Sequence, residues 1–314
     1  VRLSDDRPSI SVVIPVRNEG ARVHRALASI ISGRARPSPT QIVVVDDASS
    51  DDCCASLPEC CSWSCDRIQL DVIRLPRWSG IPYARNVGAA AARGEVLVIT
   101  DANVCFPAGW DALVAGAIAP NRVLCATIAD ENSSFRGFGC TLDIPSMSAV
   151  WLASPTTYGG YVPISPCTGT VLTTDLFRRA GGYDTGMPVY GAAEPEFSVR
   201  LWLLGAVVIG VPGLVLRHRF RPSAERQPFL GAIAFTQLCN YLRFGLLYLD
   251  PPRIRHMFQH YSRAQPDTFA AAVRTVYAGD VWRRRESLRR ALPFTFDSFV
   301  KRFGLCDSRG DRVA

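Results

Sequence analysis

At 314 residues, with 48% hydrophobic and 20% charged side chains, the chain can bury one large core or two modest ones and is too apolar to remain disordered. No run supplies the roughly 20 apolar residues of a membrane span; the nearest, 229–249, is broken by Gln237, Asn240 and Arg243. The net charge of +7 rests almost wholly on arginine, because Lys301 is the only lysine, and guanidinium groups suit phosphate oxygens, whether of a diphosphate, a nucleic acid or an acidic membrane face.

The opening residues, with Asp5, Asp6 and Pro8, carry no signal-peptide pattern. Residues 10–16 read as a buried strand, followed by a helix over about 20–31. A second strand at 41–45 ends in Asp46 and Asp47, and a third covers 68–75. A helix over about 79–93 has Ser79 as its cap and Gly94 as its stop. A fourth strand, 96–100, delivers Asp101. Strands alternating with helices signal βαβ units and an α/β fold with a mostly parallel sheet. In such sheets ligands lie beyond the carboxyl ends of the strands, which places Asp46, Asp47 and Asp101 along one crevice.

The second half is less regular. Residues 168–173 read as a strand leading into a short helix at 175–180, stopped by Gly181 and Gly182. Pro195 opens a helix that runs to about Leu204, two strands follow at 207–211 and 214–216, and the chain is mostly helical from Arg221 onward.

Eleven cysteines include the crowded set Cys53, Cys54, Cys60, Cys61 and Cys65, whose spacing matches no standard zinc pattern. A surface excursion with reduced thiols is the expectation, with a structural metal or a disulfide as the alternatives, and the compartment expected is cytoplasmic. Near the C-terminus, Arg283, Arg284, Arg285, Arg289 and Arg290 form a basic helix face. It reads as a solvated surface, and a nucleic-acid-binding protein is the competing class, although no recognition module or interleaved aromatics accompany it.

The chemistry-bearing segment is Val96-Leu-Val-Ile-Thr-Asp101-Ala-Asn103. A strand-end carboxylate with a side-chain carbonyl two residues on is a hard-oxygen pair suited to Mn²⁺ or Mg²⁺. It resembles the DxD motif of GT-A glycosyltransferases, with asparagine in the second acidic position. Three further segments occur in the expected order before it. Ser11-Val-Val-Ile-Pro-Val-Arg-Asn-Glu19 resembles the opening strand of family 2 glycosyltransferases. Ile42-Val-Val-Val-Asp46-Asp47-Ala-Ser49 resembles the strand whose aspartate contacts the base. Gly80-Ile-Pro-Tyr-Ala-Arg85-Asn86-Val-Gly88 resembles the helix that presents an arginine to the donor.

Downstream, the segment from Ala180 through Tyr190, Glu194 and Glu196 to Trp202 resembles the acceptor-side motif of polypeptide N-acetylgalactosaminyltransferases. The segment Val211-Pro-Gly-Leu-Val-Leu-Arg-His218-Arg-Phe-Arg221 resembles their metal-completing histidine segment. The resemblance runs from about Ser11 to Leu305, and the 314 residues hold no lectin domain of the kind that usually follows in that family.

The resemblance implies a GT-A, Rossmann-like nucleotide-sugar-binding fold. Its core would span 1–220, divided into a nucleotide-sugar half (1–130) and an acceptor half (131–220), with a lid and helical extension over 221–314. It implies a metal-dependent transfer from a UDP-sugar to a hydroxyl of a protein or peptide. Asp101, Asn103 and His218 would hold Mn²⁺ or Mg²⁺. Asp46, Asp47, Arg85, Glu19 and Tyr190 would line the donor, Glu194 and Glu196 would line the acceptor and, with Asp101, are the candidate catalytic residues, and the segment 221–231 would close over them. No partner beyond donor and acceptor is implied.

Two departures keep alternatives open. Ala193-Glu194 stands where the polypeptide transferases carry Glu-Asn, so Glu194 reads either as a general base in an inverting reaction or as a helix cap in a retaining one. Ser165-Pro166 lacks the Gly-Gly pair that follows it in those enzymes, which leaves the sugar open. A glycan, lipid-linked sugar or small natural product is the alternative acceptor.

Overall fold

The computed structural model describes residues 9–36, 38–57, 67–166 and 168–305. The first half is built from β1 (Ile10–Val16), α1 (Arg22–Ser32), β2 (Thr40–Asp46), β3 (Ile68–Arg74), α2 (Ile81–Ala91) and β4 (Val96–Ile99). Then come β5 (Val104–Cys105), α3 (Trp110–Ala117), β6 (Arg122–Asp130), β7 (Arg136–Gly137) and the hairpin β8 (Cys140–Asp143) with β9 (Ser148–Trp151). The rest comprises β10 (Thr170–Thr173), α4 (Thr174–Ala180), α5 (Ala193–Leu203), β11 (Val207–His218), α6 (Ser223–Tyr248), α7 (Pro251–Ala264), α8 (Pro266–Ala278), α9 (Val281–Ala291) and α10 (Phe296–Phe303).

One large sheet runs in the order β3-β2-β1-β4-β10-β6-β11-β5, with β7 on the side of β6. The first four strands are mutually parallel. β10 runs antiparallel between β4 and β6, and β11 returns parallel to β6. The two strands read separately around 207–216 are one element, β11, interrupted by a register shift between Val211 and Val215. Pro212 and Gly213 sit in that interruption, where neither a missing N–H nor a missing side chain breaks the ladder.

Both faces of the sheet are covered, so its strands alternate between two cores. Val12, Ile14, Val96 and Val98 pack towards α1 and α3 with Trp110, whereas Val13, Leu97 and Ile99 join the cluster that includes Leu176, Phe197, Leu242 and Phe299. Side chains of α6 to α10 therefore share one apolar cluster with the acceptor-side half. The segment 221–231, read as a lid, is helical from Ser223 onward, and residues 222–229 are exposed.

The helix start at α2 differs in its cause from the sequence reading. No side chain of its own caps it; instead both carboxylate oxygens of Asp47 accept, from Ser79 N at 2.7 Å and Gly80 N at 2.8 Å. Gly80 adopts φ +90° and lies against Val189, and a Cβ there would fall 2.3 Å from the Val189 nitrogen. Val189 and Ala192 themselves adopt φ of 65° and 66°, a region that costs non-glycine residues energy. Asn240 holds this turn by donating to the carbonyls of Pro188, Tyr190 and Gly191.

Candidate active site

The carboxyl ends of β1, β2 and β4 open onto one crevice, and its centre is a buried arginine. Arg85, on α2 and 0% exposed, donates to Asp101 at 3.0 Å and to Glu194 at 2.6 Å, with its guanidinium 5.3 Å from the Tyr183 ring centroid. Asp101 follows β4, and Glu194 lies in the first turn of α5. The arginine thus ties the end of β4 to the start of α5. The other Asp101 oxygen accepts from the Thr168 hydroxyl. Burial pushes the Asp101 carboxyl up, but Arg85 and the Thr168 hydrogen bond outweigh it and hold the group below the ordinary aspartate value.

His218 reaches this centre through the β11–β5 ladder, in which it pairs with Val104. Just beyond that pair, Arg219 N donates to Asn103 O at 3.0 Å and Asn103 Nδ2 donates to Arg219 O at 3.2 Å. Burial lowers the His218 pKa, outweighing the opposing pull of Asp101, Asp130 and Glu131, so the imidazole stays neutral near pH 7. Its Nδ1 is buried without a hydrogen-bond partner. A neutral imidazole with an orphaned nitrogen, an ionised carboxylate and an amide oxygen make a donor set that fits a divalent cation. Among the described residues no three His, Cys, Asp or Glu side chains converge on a metal, so oxygens of a ligand would have to complete the coordination.

Beside His218 an aromatic row leads outward. The Phe220 ring centroid lies 4.1 Å from that of His218, Phe135 lies 5.7 Å from Phe220, and Trp151 lies 5.6 Å from Phe135.

Comparison with known proteins agrees with this geometry. Residues 11–159 match the Glycosyl transferase family 2 profile. The chain is 29% identical over 236 residues to polypeptide N-acetylgalactosaminyltransferase 8 of Drosophila melanogaster, covering 68% of this chain and 38% of that protein. It is 27% identical over 273 residues to polypeptide N-acetylgalactosaminyltransferase 13 of Homo sapiens, covering 78% and 47%. The chain therefore spans less than half the length of these two relatives. In three dimensions it superposes on GalNAc-T7, solved with UDP, GalNAc and Mn²⁺, with a TM-score of 0.71 at 21% identity, over 95% of this chain and 56% of that one. The chain has the GT-A fold.

The other residues singled out from sequence divide into two groups. Glu19 and Tyr190 both contact the segment 221–231. Glu19 pairs with Arg221 at 2.5 Å and Arg22 at 3.3 Å, latching the start of α6 to the loop after β1. Burial raises its pKa against the opposing effect of Arg221. Tyr190 is 37% exposed, its ring centroid 6.2 Å from that of Phe229.

Asp46, Asp47 and Glu196 are engaged in holding the fold. Asp46 Oδ1 accepts from Ser49 N at 2.9 Å, and Asp47 anchors α2. Glu196 is 0% exposed, bidentate to Arg200 at 2.7 and 2.8 Å, and accepts from the Tyr248 hydroxyl at 2.6 Å. Its carboxylate is sealed in the core, and no catalytic role is carried forward for it. Thr168 was missed by the sequence reading, because a lone threonine ahead of a short strand has no periodic or charge signal.

The basic helix face is partly consumed. Arg285 donates to the carbonyls of Leu246 and Leu249 at the end of α6, while Arg283 and Arg290 pair with Asp280 and Glu286. Cys53 and Cys54 are buried free thiols, and burial pushes the Cys54 thiol far above its ordinary value. Cys60, Cys61 and Cys65 lie outside the described residues. No helix among the described residues is long and apolar enough to cross a membrane.

Proposed function

We propose that this domain transfers a sugar from a UDP-sugar to a hydroxyl of a peptide or protein, with Mn²⁺ (or Mg²⁺) at Asp101, Asn103 and His218, and with retention at the anomeric carbon. The observation that carries the reading is the Asp101–Arg85–Glu194 bridge at the strand ends, closed by a neutral His218 with an orphaned nitrogen. The relatives named as polypeptide N-acetylgalactosaminyltransferases support the acceptor class, and the GalNAc-T7 structure with UDP and Mn²⁺ supports donor and metal.

When bound, the cation supplies positive charge opposite the departing diphosphate. The chain's own residues prepare the site. Arg85 keeps Asp101 ionised and Thr168 fixes the orientation of its second oxygen. The Phe220–Phe135–Trp151 row offers an apolar wall for the acceptor and keeps water from the anomeric carbon. Because one Glu194 oxygen is committed to Arg85, the acceptor's proton passes to a phosphate oxygen of leaving UDP, which is why retention is favoured over a base-driven inversion.

The test is UDP release from a panel of UDP-sugars with Mn²⁺ or EDTA, comparing wild type with Asp101→Ala. Metal-dependent turnover of one donor that is lost in the variant is expected; full activity of Asp101→Ala sinks the assignment. The product's anomeric configuration by NMR decides retention, and an inverted product restores Glu194 as general base.

A further inference from the structure

The site as described has no surface for the nucleotide base. Of the strand-end aspartates that sequence reading assigned to it, Asp47 is 3% exposed with both oxygens on the Ser79 and Gly80 amides, and Asp46 is 7% exposed with Oδ1 on Ser49 N. A base needs an apolar face to stack on, and donors fixed beside it.

One residue pair at the same strand ends offers the first. Arg17 is the first residue after β1, and its Nη1 donates to the carbonyls of Asp47 at 2.6 Å and Ala48 at 2.5 Å. Its guanidinium carbon lies 4.7 Å from the centroid of the Trp78 ring. Trp78 is 44% exposed, an unusual position for the largest apolar side chain. Trp78 immediately precedes Ser79, whose backbone Asp47 holds, so its attachment point is fixed by the same carboxylate. Ala48 adopts φ 55°, part of the tight turn whose carbonyl Arg17 grips. The ring is therefore oriented before any ligand arrives, and little side-chain entropy remains to be lost on stacking.

Position agrees with this. β2 and β4 flank β1 in the sheet, so the end of β2 lies about two strand spacings, or about 10 Å, from the end of β4 that carries Asp101. A nucleoside spans that interval between its base and its diphosphate.

We propose that Trp78, its ring backed on one face by the Arg17 guanidinium, is the platform on whose other face the base of the nucleoside diphosphate donor stacks. The inference rests on the reading of the domain as a nucleotide-sugar transferase. Asp47 is then a positioning residue, acting through the loop that carries Trp78.

The test is calorimetric binding of UDP, and of pyrophosphate, each with Mn²⁺, to the wild-type chain, Trp78→Ala and Trp78→Phe. Trp78→Ala is expected to weaken UDP about tenfold, the scale of one base–aromatic stack, and to leave pyrophosphate unchanged. Trp78→Phe should recover most of the loss. UDP should also quench tryptophan fluorescence in wild type and not in Trp78→Phe. If wild type binds UDP and Trp78→Ala binds it equally well, the platform is refuted while the enzyme reading stands. If UDP fails but another nucleoside diphosphate binds and loses affinity in Trp78→Ala, the platform stands and uridine is replaced. If no nucleoside diphosphate binds wild type, the enzyme reading falls and takes the platform with it.

Discussion

Replacing Glu196 separates a structural carboxylate from a catalytic one. Glu196 and Arg200 are 0% and 1% exposed, and the Tyr248 hydroxyl completes the network. Glu196→Ala leaves a buried guanidinium uncompensated, a loss of about 3–5 kcal/mol when one partner of a buried pair is removed. It also strands the Tyr248 hydroxyl, worth about 1–3 kcal/mol alone, but the two effects share a network and do not simply add. A total near 5 kcal/mol is therefore expected, enough to unfold much of a marginally stable domain. Replacing the whole network by apolar groups of similar volume, as Glu196→Leu with Arg200→Met and Tyr248→Phe, should restore most of the stability, since no charge then remains to be compensated. Urea unfolding and UDP-sugar turnover measure the two consequences separately. The triple variant is expected to fold and to keep kcat within about tenfold of wild type. A triple variant that folds as well as wild type yet turns over a thousandfold more slowly refutes the reasoning and makes Glu196 a reacting group.

Three further outcomes follow from the same structure. Thr168→Val removes the hydroxyl that orients Asp101 and should lower kcat about tenfold, the scale of one lost hydrogen bond to a charged group, with stability little changed; an unchanged kcat removes Thr168 from the site. Gly80→Ala forces a Cβ against the Val189 backbone at φ +90° and should cost about 3 kcal/mol or more in urea unfolding, with donor binding lost alongside; a neutral effect would show the α2–Val189 contact to be looser than described. Asp280 is held below the ordinary aspartate value of 3.8, first by its hydrogen bond from Arg243. A depressed folded pKa stabilises above the unfolded value and is lost as pH falls through the folded one. Asp280→Asn should therefore flatten the acid limb of stability below pH 3.8 and leave the pH dependence at neutrality unchanged, and an unaltered acid limb contradicts the pairing.

What the sequence by itself determined was local. Apolar runs ending in polar residues located β1, β2 and β4 within a residue or two, because a strand buried on both faces must be continuously apolar and must stop where it meets water; β3, at the sheet edge, was found from its alternation of apolar and polar residues. Asp101 stood out as a strand-end carboxylate, whereas Arg85 was singled out only by the resemblance of residues 80–88 to a donor-side helix. Tertiary structure decided the rest. β6 lies at the centre of the right half of the sheet, yet no strand was read at 122–130. The antiparallel insertion of β10 between β4 and β6 is likewise a long-range choice that no local pattern encodes.

Glu194 and Glu196 show the limit most plainly. Two carboxylates two residues apart in one helical turn point about 200° from each other, so one faces the crevice when the other faces the core. Composition and spacing treat them alike. Only the packing of α5 against Tyr248 and α4, and the arrival of Arg85 from α2, assigns one to the fold and the other to the site.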